Sequence, residues 1–189
     1  MDLCGPYLTQ GPCGEKHFYV ILDDCSNVGF TFCLHKKSNA FIHYERTKAY
    51  IEWSTGCKIK AVWVDGALEL TTGKMGTHLA SWGISIQKTA PYAHPQAGKI
   101  ECYICTIKEG GQILLADLGL SMSFWCDAVL TSQYLWNWLP TSTLAVNIMP
   151  FEVQSLMFLI SEYGGVSALW LFLMNSGIRL VSNVLRASS

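Results

Sequence analysis

The sequence predicts an α/β fold in which helices flank a mixed β-sheet and an irregular C-terminal tail follows. Two β-rich runs joined by a short turn, two later strands that alternate with helices, and two longer helices predict this class. The length of 189 residues is that of about one domain. Half of the residues are apolar and 14% are charged, against roughly 25% in ordinary soluble chains, which excludes a disordered protein.

The individual elements are predicted from residue type and periodicity. The runs 17–22 and 29–34 are rich in β-branched and aromatic residues and flank a polar turn, which favours a hairpin. Apolar residues at helix-compatible spacing predict a helix over 39–53 that a glycine ends. Alternating apolar and polar residues predict a strand over 57–64, directly before Asp65. The remaining predicted elements are a helix over 71–80, a strand over 84–88, and helices over 99–118 and 121–139.

Composition also bears on location and partners. The net charge of −1 lacks the basic excess of a protein held on nucleic acid by charge alone. The chain opens without a signal peptide, so its eight cysteines are interpreted as reduced thiols. The most apolar stretch of the tail, around 166–174, is far shorter than the ~20 residues that span a bilayer. We therefore predict no transmembrane segment and no membrane partner.

Three carboxylates stand out by their positions. Asp2 precedes Leu-Cys-Gly-Pro, Asp65 follows a predicted strand, and Glu101 lies just inside a predicted helix. Two-metal phosphoryl transfer needs carboxylates on neighbouring elements, holding divalent ions roughly 3.5–4 Å apart. Strand ends and a helix can bring such side chains together, although most single carboxylates are solvated surface charges. A divalent-metal site is therefore the hypothesis for these three residues.

Collinear motifs run through the first 154 residues. They are Asp-Leu-Cys-Gly-Pro at 2–6, Asp-Asp-Cys-Ser at 23–26, Asp-Gly-Ala-Leu-Glu at 65–69, Pro-Tyr at 91–92 and Gln-Ala-Gly-Lys-Ile-Glu at 96–101. Between Asp65 and Glu101 lie 35 residues. In motifs and in this spacing, residues 1–154 resemble the integrase core of copia-type retrotransposons, a family that shares a ribonuclease H-like fold with retroviral integrases.

The resemblance has consequences for fold and function. It implies a five-stranded mixed sheet and makes Asp2, Asp65 and Glu101 the ligands of Mg²⁺ or Mn²⁺, used for phosphodiester cleavage and strand transfer in DNA integration. It further implies binding of element ends and target DNA, self-association into a homo-oligomer, and a nuclear location.

Departures from the family pattern concern arginine. Residues 1–154 hold one arginine and ten lysines. Cys102 and Trp138 stand where the family has arginine, and Trp63 stands near a third such place. Each replacement is one C-to-T change in a CGN codon, so we interpret the pattern as mutational decay by cytosine deamination. The alternative is that tryptophans and cysteines simply pack a core.

Residues around Glu101 also carry simpler interpretations. Cys102 and Cys105 have the spacing of half a zinc site, but no second Cys or His pair lies nearby, so metal binding there is not expected. Gly98 is expected to serve the turn into the helix, and His94 is expected to lie in the preceding loop.

Both ends of the chain differ from the family. Only Met1 precedes Asp2, so we expect a shortened first strand without the upstream His/Cys zinc domain. Residues 155–189 show neither strand nor helix periodicity, and plausible codons for their first part, read one nucleotide earlier, give the family's continuation. We therefore predict that 155–189 is a frame-shifted, non-family tail.

Three functions remain open from the sequence. The first is an active integrase, favoured by the retained carboxylates and their spacing. The second is a catalytically inactive transposon relic, favoured by the arginine loss, the shortened strand and the shifted tail. The third is a membrane-associated protein, which rests on the apolar composition of the tail alone.

Overall fold

The computed structural model of the chain describes residues 1–64, 73–88 and 94–138. Over these ranges the order of strands and helices is the predicted one. The strands are β1 (Asp2–Cys4), β2 (His17–Leu22), β3 (Gly29–Leu34), β4 (Ala61–Val64) and β5 (Ser85–Lys88). The helices are α1 (Ala40–Thr55), α2 (Gly73–Ser81), α3 (His94–Asp117) and α4 (Trp125–Trp138), with short 3₁₀ turns at Lys37–Asn39 and Met122–Phe124. The predicted tail, 155–189, lies outside the described residues.

The first three strands form an antiparallel sheet in the order β1-β2-β3. The predicted hairpin is confirmed, since His17 pairs with Leu34 and Leu22 pairs with Gly29. Strand β2 supplies the centre of the sheet, and its four middle residues are buried. Because successive side chains of a strand point to opposite faces, four consecutive buried residues show that both faces of β2 are covered.

Strands β4 and β5 form a parallel pair connected through α2. Strand β4 begins at Ala61, four residues later than predicted. The reason is local: the backbone N–H of Cys57 donates to Thr55 Oγ1, and that of Ile59 donates to Glu52 Oε1. Two N–H groups of the predicted strand are thus bonded to side chains of α1, which itself ends at Gly56 in the left-handed conformation (φ 67°).

The prediction of a single five-stranded sheet is not reproduced by the described residues, in which the five strands form two sheets. The Met1 amine, directly before β1, donates to the Trp63 carbonyl of β4 at 2.7 Å. This single bond lies outside the three residues of β1 and does not pair the two strands. The mixed α/β class is nevertheless the predicted one.

Two compact units are distinguished within the chain, and the first contains residues 1–23 and 29–105. Its core is built from both sheets and from α1, α2 and the beginning of α3. Fully or nearly fully buried side chains of this unit are Phe18, Tyr19, Val20, Leu34, Tyr44, Val64, Leu79 and Tyr103.

The second unit contains residues 24–28 and 106–189, described as far as residue 138. In it α3 and α4 approach closely at two glycines. A Cβ on Gly111 would lie 3.3 Å from the backbone of Ala128, and one on Gly110 would overlap Ser132 Oγ. The indole Nε1 of Trp136 donates to the carbonyl of Asn27 at 3.2 Å.

Helix α3 begins at His94, five residues earlier than predicted. His94 therefore starts the helix rather than lying in a preceding loop. Gly98 lies inside the helix, and a Cβ added there would meet nothing within 4 Å. The expected turn at Gly98 is thus wrong. In the described part of the chain, no helix combines the length and the apolar character needed to cross a bilayer.

His43 on α1 couples the stability of the fold to pH. Its ring stacks on Phe32 of β3 with centroids 4.6 Å apart, and burial, helped by Arg46, lowers its pKa to about 4 from 6.5. Because the unfolded chain takes up the proton first, folding stability falls as the pH drops from 6.5 through 4. We expect a loss of about 1–2 kcal/mol, discounted for the partial exposure of the ring.

Urea unfolding of the wild type and of His43→Phe at pH 7 and pH 4.5 measures this contribution. The wild type should lose more stability between the two pH values than the variant does. His35→Gln, at an exposed histidine, serves as the control and should behave as the wild type. Equal losses in the wild type and His43→Phe would refute the assignment.

Candidate metal centre

Asp2 is the first predicted ligand, and β1 positions it. It pairs with Val20 in the register of β1 with β2, and it is half-buried. One carboxylate oxygen, Oδ1, accepts a hydrogen bond from the Leu3 backbone N–H at 2.7 Å. A carboxylate has two oxygens with several lone pairs, so this bond orients the group and still leaves capacity to bind a cation.

The neighbouring Met1 holds the beginning of β1 in place. It is only 7% exposed. The Tyr19 hydroxyl donates to its sulfur at 3.0 Å, in addition to the bond between the Met1 amine and Trp63. Asp2 therefore follows directly after a residue that touches the end of β4.

Asp65, the second predicted ligand, lies outside the described residues. Strand β4, which ends at Val64 directly before it, is well anchored, because Val62 and Val64 are 6% and 1% exposed. Its register with β5 pairs Val64 with Lys88.

Glu101, the third predicted ligand, is exposed on α3. The rotation of this helix is fixed by Tyr103, which is 1% exposed and whose hydroxyl lies 3.5 Å from Thr31 Oγ1 on β3. Two residues along a helix are about 200° apart, so Glu101 points away from the β3 contact that Tyr103 makes. Buried Tyr103 thus directs the carboxylate of Glu101 outward.

Tyr103 fits against β3 because residue 29 is glycine. A Cβ at Gly29 would overlap the hydroxyl and ring of Tyr103, with its Cε2 at 2.8 Å. Sequence reasoning missed this contact. The only indication in the sequence was the glycine at the beginning of a β-rich run. Glycine in a strand often marks a place where another part of the protein comes close to the backbone.

The donor atoms of the predicted ligands fit a hard divalent cation. Asp2 and Glu101 offer carboxylate oxygens, which Mg²⁺ and Mn²⁺ prefer over the nitrogen and sulfur ligands typical of zinc. Among the residues whose side chains the structure describes, no three or more His, Cys, Asp or Glu gather closely enough to hold a metal ion. Two of the three predicted ligands, Asp2 and Glu101, are among those residues.

The arginine-depleted positions are on the surface. Cys102 is exposed on α3, and Trp63 and Trp138 are 40% and 43% exposed. All eight cysteines lie within the described residues; only Cys126 is buried, and none of them forms a disulfide. The alternative that these cysteines and tryptophans pack a core is therefore wrong for most of them.

Sequence similarity to a known protein shows which family the chain belongs to. No family model matches it. Over 147 residues it is 33% identical to the retrovirus-related Pol polyprotein from transposon TNT 1-94 of Nicotiana tabacum, an alignment that covers 78% of the chain. The chain is a homologue of a copia-type retrotransposon Pol polyprotein. It spans 11% of the length of that relative.

Solved structures give this homologue of the transposon polyprotein an integrase-core fold. The HTLV-2 integrase catalytic core domain, in complex with magnesium and in a trimeric form, matches with a TM-score of 0.55 at 14% identity, covering 77% of this chain and 92% of that one. An intasome of simian T-cell lymphotropic virus matches with a TM-score of 0.56 at 15% identity, covering 69% and 46%. At such identities the likeness concerns the fold, which is the ribonuclease H-like α/β class predicted from the motifs.

Proposed function

We propose that the chain is the catalytic core of a retrotransposon integrase that cuts and joins DNA phosphodiester bonds. The observation that supports the proposal is the transposon homology, together with two carboxylates of the family motifs, Asp2 on β1 and Glu101 on α3. Asp65 completes the proposed set from the segment after β4.

The carboxylates of Asp2, Asp65 and Glu101 would hold Mg²⁺ or Mn²⁺. When bound, such ions lower the pKa of an attacking water or hydroxyl and neutralise charge on the phosphate. The chain itself contributes orientation: the Leu3 N–H fixes one oxygen of Asp2, and the buried Tyr103 fixes the rotation of α3 and with it Glu101. These contacts hold the ligands in advance and reduce the cost of ordering them on binding.

Proposed partners follow from the same homology. We propose that the chain acts on element ends and on target DNA in the nucleus, and that it self-associates. The catalytic core of HTLV-2 integrase is known in dimeric and trimeric forms, which supports an oligomer for this homologue.

A catalytically inactive relic is the second candidate, and the surface of α3 favours it. Cys102, immediately after Glu101 and at a position where the family has arginine, is an exposed thiol. Basic side chains on such a surface would neutralise DNA phosphates, and each lost contact weakens binding and reduces its salt dependence. A chain that keeps its ligands but loses these cations binds its substrate poorly.

Incubation of the chain with a labelled DNA duplex that carries an element end distinguishes the two candidates. The proposed integrase should give end-cleaved and strand-transferred products in millimolar Mn²⁺ and none when EDTA is present. A chain that yields no product at any Mn²⁺ or Mg²⁺ concentration, although it is folded by circular dichroism, would overturn the catalytic proposal and establish the relic.

Restoring arginine on α3 is expected to strengthen DNA binding. Cys102→Arg adds one cation at an exposed position next to Glu101, so the slope of log K against log salt should steepen by roughly 0.9. Filter binding at several salt concentrations measures it. Cys13→Arg, a matched charge gain at an exposed cysteine of another segment, should leave the slope unchanged. An equal gain in both variants would show non-specific attraction instead.

A further inference from the structure

The side chain of Trp82 stays in contact with solvent at the end of α2. Trp82 follows directly after Ser81, the last residue of α2, and is 55% exposed. Its backbone N–H donates to the His78 carbonyl at 3.2 Å, and Gly83 ends the helix in the left-handed conformation (φ 65°). The end of the helix therefore fixes the position of a large, exposed aromatic side chain.

Two lysine ammonium groups lie beside the Trp82 ring. Lys48 Nζ is 4.0 Å from the ring centroid, and Lys58 Nζ is 5.4 Å from it. Both also lie near Oε2 of Glu52, at 2.9 and 3.9 Å, so they are too close together to cover opposite faces of the indole. The His78 ring is tilted by 38° with its centroid 6.1 Å away, so it does not stack on the indole. The exposed area of Trp82 therefore includes the ring face away from Lys48.

The two lysines differ in their availability to a ligand. Lys48 is 6% exposed and ion-paired with Glu52, so it supports the indole from the protein side. The Lys58 side chain is 74% exposed, and its 3.9 Å contact with Glu52 is a long one for an ion pair. An exposed ammonium group gives up such a contact at little cost. Lys58 can therefore bind an anion that lies next to the ring.

Ring and charge together select the class of ligand for this Trp82 site, which consists of Trp82, Lys48 and Lys58. A cationic ligand, such as a methylated lysine, is repelled by the two ammonium groups. A purely apolar ligand leaves Lys58 unused. A flat ring joined to a phosphate satisfies both parts of the site, because nucleobases stack on aromatic side chains and phosphates bind ammonium groups.

We propose that the Trp82 site binds an unpaired nucleotide of a single-stranded nucleic acid. The base stacks on the open face of Trp82, and an adjacent phosphate binds the Lys58 ammonium group. Bases inside a duplex are already stacked on both sides, so the site selects single strands. Stacking of this kind tolerates any base, and the proposed contacts involve no sugar, so DNA and RNA share the required chemistry.

The Trp82 site is separate from the proposed metal centre. Lys58 and Trp82 come before β4 and β5, which run parallel with Ala61 paired to Ser85. Asp65 follows the other end of β4 in the sequence. The site is thus a second nucleic-acid contact, beyond the proposed function, and it involves none of the three predicted metal ligands. Single-strand binding by a chain that joins no DNA would support the site and remove only the proposed activity.

Fluorescence anisotropy of a short labelled oligodeoxyadenylate, mixed with the full chain in EDTA, tests the stacking contact. The wild type should bind, and Trp82→Ala should weaken binding about tenfold, a usual effect of losing one base–aromatic stack. Trp82→Phe keeps a ring and should bind within about threefold of the wild type. Trp138→Ala is the matched control, because Trp138 is also partly exposed (43%) and lies in the other unit. It should bind as the wild type does.

The salt dependence of the same binding tests the phosphate contact. Lys58→Gln removes one cation from the path of a single strand, so the slope of log K against log salt should become shallower by roughly 0.7. Lys74→Gln, at an exposed lysine near the beginning of α2, should leave the slope unchanged. Equal slopes in Lys58→Gln and the wild type would remove Lys58 from the site.

A strand with abasic positions separates stacking from charge. The wild type and Trp82→Ala should bind it equally, because it offers no base to the ring. The same sequence made as RNA distinguishes the two sources, and a preference for either strand supports the site and identifies the nucleic acid that it serves. Trp82→Ala that is folded by circular dichroism and binds oligodeoxyadenylate as tightly as the wild type overturns the proposal. Binding of a blunt duplex as tightly as the single strand does so too.

Discussion

Glu101→Gln is expected to reduce Mn²⁺-dependent strand transfer by roughly two to three orders of magnitude. The amide keeps the shape of the side chain but removes the negative charge that a divalent cation requires. Metal ions contribute several kcal/mol to phosphoryl transfer, and each 1.36 kcal/mol is a factor of ten in rate. Because Glu101 is exposed, the substitution should leave the free energy of unfolding within about 0.5 kcal/mol of the wild type.

Glu109→Gln is the matched control for this loss. Glu109 is exposed on the same helix, about two turns beyond Glu101. The control should retain the strand-transfer rate of the wild type. Equal rates in Glu101→Gln and the wild type, with both proteins folded, would remove Glu101 from the proposed centre.

Gly29→Ala is expected to destabilise the fold by roughly 2–4 kcal/mol. This is at or above the usual cost of overpacking a well-filled core. The added methyl group would overlap the hydroxyl and ring of Tyr103, which is 1% exposed. Relief would require α3 to shift away from β3, so Glu101 would move with it. Urea unfolding measures the loss, and the strand-transfer assay should show reduced activity even where the variant remains folded.

Gly98→Ala, in α3, is the contrasting glycine substitution, because it should stabilise the fold. Gly98 lies inside α3 with nothing within 4 Å of the added Cβ. Alanine is favoured over glycine in a helix interior, so this variant should gain up to about 1 kcal/mol. If Gly29→Ala proved as stable as the wild type, the tight fit between β3 and Tyr103 would be refuted.

Local patterns were sufficient to predict the order of the strands and helices. The β2–β3 hairpin and the end of α1 at Gly56 follow from β-rich runs, a polar turn and a glycine, all of which act over a few residues. The beginning of β4 was misplaced because side chains of α1 bind the backbone at 57 and 59. These hydrogen bonds depend on how α1 and the following segment are placed in space, and the periodicity of the sequence carries no information about that placement.

The candidate site was predicted only in part, for the same reason. Motif spacing selected Asp2 and Glu101, and the structure places them on a strand and a helix of one compact unit. The contact between Tyr103 and Gly29, which sets the rotation of α3 at Glu101, was not predicted. Their roles arise from one close contact between β3 and α3, and no run of neighbouring residues reveals such a contact.

The central claim is that three carboxylates distant in the sequence hold the same divalent ions. A crystal of the chain grown with Mn²⁺ and measured at a wavelength where manganese scatters anomalously tests this most directly. The proposed centre predicts anomalous peaks bounded by carboxylate oxygens of Asp2, Asp65 and Glu101, at metal–oxygen distances of roughly 2.0–2.3 Å. Peaks elsewhere, or carboxylates at 2, 65 and 101 too far apart to share an ion, would contradict it.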